Sequence, residues 1–107
     1  MVQQRIANLV LPMDALRTFC QRWGIRELAL FGSVLRDDFD AASDVDVLVQ
    51  FDDEVRRSLF DLVTMTDELE ALFGRKVDLL TRKGVEESPN YIRRKAILDS
   101  AQVIYAA

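Results

Sequence analysis

The chain has 107 residues, half of them apolar and 30% charged, a length and mix that read as a single folded domain over 1–107 with a small core. It contains no His and a single cysteine, Cys20, which excludes intramolecular disulfides, Cys/His zinc sites, Ser-His-Asp triads and Cys-His dyads. The net charge of −4 makes the chain a poor counterion for a nucleic-acid duplex, so no direct nucleic-acid binding is expected.

In chain order, the amino terminus has too short an apolar stretch for a signal peptide, and no apolar run approaches the roughly 20 residues of a membrane span. A cytoplasmic protein without membrane contact is expected. Met13, Leu16, Phe19, Cys20 and Trp23 fall on one face of a helix, and Gly24 is a natural stop. Residues 27–31 (ELALF) read as a short buried strand ending at Gly32-Ser33. Residues 44–51 (DVDVLVQF) are the clearest strand, with Val45, Val47, Val49 and Phe51 alternating onto one face. A second helix carries Leu59, Leu62, Val63, Leu69, Leu72 and Phe73 and stops at Gly74. A third strand follows at 76–80 (KVDLL), then Ser88-Pro89 as cap and first-turn proline of a helix to about Asp99. Residues 103–105 fit either a last short strand or a continued helix. The alternation predicts an α/β (α+β) domain, a small mixed sheet with helices packed on it.

The charges are unevenly spread. Residues 1–74 carry seven basic and fourteen acidic side chains, and residues 75–107 carry seven and four. Eight acids fall between Asp37 and Glu54, with Arg36 as the nearby base, a density compatible with a solvated loop or with a site. Alternation puts Asp44 and Asp46 on the same side of their strand, with Cα atoms roughly 7 Å apart. Two like charges so placed call for a cation or for solvent. With no nitrogen or sulfur donors at hand, that cation would be a hard one such as Mg2+, Mn2+ or Ca2+. Gly32-Ser33 joins a strand end to a short helix, where glycine permits close backbone approach and free N–H groups attract phosphate. Taken alone, the pair also reads as an ordinary serine cap.

Together these residues form the pattern G-S-x10-D-x-D, within LFGSVLRDDFDAASDVDVLVQF. This stretch resembles the signature of the polymerase-β nucleotidyltransferase superfamily. GRKVDLLTRKG and PNYIRRKAILDSAQVIY resemble its short subgroup, the minimal nucleotidyltransferases, over nearly the whole chain from Leu11 onward. The resemblance implies a polymerase-β-like fold and transfer of AMP from Mg2+-ATP to a hydroxyl. It implies that Gly32 and Ser33 hold the β- and γ-phosphates and that Asp44 and Asp46 coordinate Mg2+. Asp78 in KVDLL fits the third carboxylate of the family, binding the metal and helping to deprotonate the acceptor. Arg36 is compatible with a phosphate contact and equally with a salt bridge to Asp37, Asp38 or Asp40; many relatives have Gly where Asp37 stands. The run Arg93, Arg94 and Lys95 suits the triphosphate, an acidic partner or a solvated helix face.

Members of the subgroup are often antitoxins paired with a HEPN-type RNase toxin, and some transfer AMP to a tyrosine of that toxin. The resemblance therefore implies a cognate toxin as partner and a protein hydroxyl as acceptor. Two other readings compete. One is a non-catalytic subunit that masks its partner sterically, which the intact Gly-Ser and three carboxylates disfavour. The other is a transferase acting on a small molecule such as an aminoglycoside, whose relatives carry a further helical domain that 107 residues do not accommodate.

Overall fold

Strand β3 (Ile25–Phe31) is the centre of the fold. In the computed structural model, which describes residues 3–6, 9–35 and 44–107, β3 pairs antiparallel with β4 (Val45–Phe51) on one side and with β6 (Gln102–Ala106) on the other. Strand β5 (Val77–Thr81) lies parallel to β4, giving the sheet order β5-β4-β3-β6. Two short strands, β1 (Gln3–Ile6) and β2 (Leu9–Pro12), form a separate antiparallel pair.

Helices cover both faces of the four-stranded sheet. On the first face Val45, Val47 and Val49 are fully buried among Leu16 and Phe19 of helix α1 (Met13–Trp23) and Met65 and Leu69 of helix α2 (Leu59–Phe73). Each such side chain contributes about 1.5–3 kcal/mol by leaving water. Cys20 belongs to this core, and burial pushes its thiol up to about 12, so it is no nucleophile. The second face has a smaller apolar cluster: Ala29, Phe31 and Leu48 beneath Val85 of helix α3 (Arg82–Glu86) and Ile97 of helix α4 (Tyr91–Ser100).

Helix α2 opens with a reciprocal cap. The Ser58 hydroxyl accepts from the Asp61 N–H at 3.1 Å, and the Asp61 carboxylate accepts from the Ser58 N–H at 3.1 Å. Gly74 closes the helix in the left-handed region, donating to Glu70 O at 2.8 Å. Ser58→Ala is expected to cost about 1 kcal/mol, measurable as a lowered denaturant midpoint with an unchanged slope.

Two departures from the sequence reading have local causes. Thr81 caps α3 by accepting from Gly84 N at 3.1 Å, so residues expected to lead straight into the last helix form a short helix of their own. The cap of α4 moves from Ser88 to Asn90, whose side chain accepts from Arg93 N at 3.1 Å. Pro89 then lies in the connection before the cap. The terminal segment, open between strand and helix in the sequence, is strand β6.

Candidate active site

The site is built where β3 ends and β4 and β5 begin. Register pairs Phe31 with Asp46 across β3 and β4, and Asp46 with Asp78 across β4 and β5. Paired residues of neighbouring strands share a face and stand about 4.8 Å apart along the hydrogen-bond direction. Phe31, Asp46 and Asp78 thus form one row across three strands. The next row is Ala29, Leu48 and Leu80, the apolar patch covered by Val85 and Ile97. That patch fixes the row's orientation: Asp46 and Asp78 face the same side as α4, away from the valines. Asp44 precedes β4 by one residue and is exposed, as is Asp78, while Asp46 is half-buried.

At the end of β3 the chain turns through Gly32, with φ of +72°, into a 3-10 turn over Gly32–Leu35. The glycine is required twice. Its backbone angle lies in the left-handed region that side chains disfavour. A Cβ added there would collide with Asp46 Oδ2 and come within 3.2 Å of its Cγ. The Asp46 carboxylate therefore rests on the bare backbone of Gly32, which joins the turn to the acid row. Ser33 follows within the same turn.

The arrangement brings Gly32, Asp46 and Asp78 together. Asp44 is two residues before Asp46, just ahead of the start of β4, and exposed. Among the described residues no three acids close into a ready-made metal shell, so the strands offer a row of carboxylates on one face. Side-by-side carboxylates repel, and an all-oxygen set of this kind suits a hard divalent cation. The glycine cradle beside it fits an anionic group held by the same cation. Arg36 lies outside the described residues.

A cleft of about 460 Å³ opens beside the cradle, lined by Phe31, Gly32 and Leu35 on one wall and by Arg93, Ala96, Ile97 and Ser100 of α4 on the other. The α4 wall had no signal in the sequence beyond the basic run, because helix phase relative to the sheet is set by the packing of Ile97.

Comparison with known proteins gives the family and the fold. The family model described as a nucleotidyltransferase domain matches residues 13–104. A protein adenylyltransferase, MntA of Thermococcus cleftensis, is 39% identical over 66 residues, 62% of this chain and 65% of that protein. A Methanocaldococcus jannaschii protein provisionally named as a protein adenylyltransferase is 34% identical over 64 residues, 60% of this chain and 64% of that protein. The chain thus spans slightly less than two thirds of the length of these relatives. A solved structure described as a candidate minimal nucleotidyltransferase superposes with a TM-score of 0.64 at 32% identity, over 83% of this chain and 85% of that one. A chain of a toxin–antitoxin crystal structure with AMP-PNP superposes with a TM-score of 0.70 at 14% identity, over 91% and 75%, a likeness of fold. No described helix is long and apolar enough to cross a membrane.

Proposed function

The chain belongs to the nucleotidyltransferase domain family, and we propose that it transfers AMP from Mg2+-ATP to a hydroxyl of a partner protein, acting as the antitoxin of a HEPN-type toxin. One observation carries the transfer reading: Asp46, paired in register with Asp78, stands directly against the backbone of Gly32, where a Cβ would collide with its carboxylate. The protein acceptor draws support from the relatives named protein adenylyltransferases. The toxin partner draws support from the toxin–antitoxin structures of the same fold, one of them with AMP-PNP.

In this reading the backbone of Gly32 and Ser33 cradles the β- and γ-phosphates, and Gly32 keeps that approach open beside Asp46. Asp44, Asp46 and Asp78 would hold Mg2+, which when bound supplies charge that stabilises departing pyrophosphate and lowers the pKa of the acceptor hydroxyl. Asp78, exposed on the outer of the two parallel strands, orients the acceptor and receives its proton. The hydroxyl oxygen bonds to the α-phosphorus as the bond to the bridging oxygen of the β-phosphate breaks, and pyrophosphate leaves. The carboxylates and the cradle contribute positioning and charge, with no covalent intermediate on the chain.

The test is to incubate the chain with labelled ATP, Mg2+ and a candidate toxin, then locate the label by mass spectrometry. An AMP adduct on a toxin hydroxyl, most readily a tyrosine, is expected, and EDTA should abolish it. Tight stoichiometric binding of the toxin without any adduct would replace this reading with steric masking.

A further inference from the structure

We propose that Arg93 is a nucleotide-binding residue, its guanidinium gripping the triphosphate from the helix wall of the cleft opposite Gly32; this rests on the nucleotide-transfer reading above. Arg93, Ala96, Ile97 and Ser100 recur at helical spacing and form the α4 wall of that cleft. Buried Ile97 anchors the stripe to the sheet and fixes the phase of the helix, which stands exposed Arg93 at the rim of this cleft and of a second one lined by Leu79, Leu80 and Val85. The other two members of the basic run are out of phase with the cleft and engaged elsewhere. Arg94 Nη1 donates to Ser88 O at 3.0 Å, and its guanidinium lies 5.3 Å from the centre of the Tyr91 ring. Lys95 Nζ is paired with Asp99 Oδ2 at 2.7 Å. The Arg93 guanidinium has no hydrogen-bond or ion-pair partner among the described residues.

Around Arg93 the cleft is lined mainly by Phe31, Leu35, Ala96 and Ile97, which offer the guanidinium nothing to bond. Among the described residues nothing uses that charge to hold the fold. A polyphosphate supplies what the wall lacks: several anionic oxygens in a spacing that the planar five-donor fork of arginine matches bidentately. It also supplies charge balance. The acid row on the sheet side repels a bare anion and accepts one through a cation, while Arg93 attracts the same anion from across the gap. A volume of about 460 Å³ is in the range of small-ligand clefts.

Calorimetric titration with Mg2+-ATP, and with Mg2+-tripolyphosphate as a probe lacking base and sugar, tests the assignment. Arg93→Ala should weaken both by about 10- to 100-fold, the loss typical of one charge-assisted hydrogen-bonded contact. Arg93→Lys should recover part of it, because the charge returns without the fork. Lys95→Ala, which removes an equal charge one residue along the helix, should change either affinity by no more than about twofold. Thermal midpoints of all three variants should match the wild type. Wild-type binding with an indifferent Arg93→Ala, or an equal loss in Lys95→Ala, overturns the assignment alone. A wild-type chain that binds neither probe overturns the transfer reading together with it.

Discussion

Asp44→Asn combined with Asp46→Asn should lower AMP transfer by about three orders of magnitude or more, since metal-assisted charge stabilisation is worth several kcal/mol and each decade of rate about 1.4 kcal/mol. The fold should survive. Asn keeps the size of Asp and an acceptor oxygen, and the first-face core formed by Val45, Val47 and Val49 is untouched. Removing two negative charges from a row that also holds Asp78 relieves repulsion, so stability should stay within about 1 kcal/mol of wild type or rise slightly. The distinguishing measurement pairs two melts. Mg2+-ATP should raise the wild-type midpoint through preferential binding to the folded state and leave that of the double variant where it was. A double variant that transfers AMP at the wild-type rate would remove both residues from the chemistry.

Gly32→Ala should do damage of two separable kinds. The left-handed backbone costs an L-residue about 1–2 kcal/mol, and the new Cβ must displace the Asp46 carboxylate that rests on the glycine. Gly74 is the matched control: its φ is +68°, close to that of Gly32, yet a Cβ there meets nothing within 4 Å. Gly74→Ala should therefore lose similar stability and keep its activity. Gly32→Ala should lose stability and, in addition, at least about 100-fold in transfer, the penalty for misplacing a catalytic group. Equal activity in the two variants, measured well below both melting points, would reduce Gly32 to a turn residue.

Much of this was legible in the sequence because the strongest signals are periodic. The alternating valines of 45–49 set β4 and, by the same alternation, put Asp46 on the opposite side; Asp44, expected to share that face, lies just ahead of the strand. The apolar face of α1 and the terminal glycines of both helices were equally plain, but the face of α2 was only partly so. Leu62, Leu69, Leu72 and Phe73 pack inward, whereas Leu59 and Val63 are exposed and Met65, not expected there, is fully buried. Strands β1 and β2 were missed, since four residues such as QQRI or LVLP carry no readable period. Helix α3 was missed for the same reason: RKGVE has a glycine inside it and owes its start to the side chain of Thr81. That insertion in turn displaced the cap of α4 to Asn90. In the site, alternation shows which side Asp78 takes within its own strand, but its placement beside Asp46 depends on the parallel register of β4 and β5, a long-range pairing. The role of Arg93 was hidden because three consecutive cations look alike until the packing of Ile97 sets which of them meets the cleft.

The position of β6 bears on how the protein comes off the ribosome. Strand β3, with the apolar sequence IRELALF, has one edge closed by β4 about twenty residues later and the other by residues 102–106. During synthesis, which proceeds at about 5–20 residues per second, β3 and β4 are outside the exit tunnel for seconds before β6 is. Through that interval an inner strand of the finished sheet is an edge strand, with its ladder groups on one side unpaired, a state prone to join another chain. The segment that closes it contains none of the acid row or the cradle. Its pairing closes that edge and ends the interval in which the site's own scaffold is most adhesive.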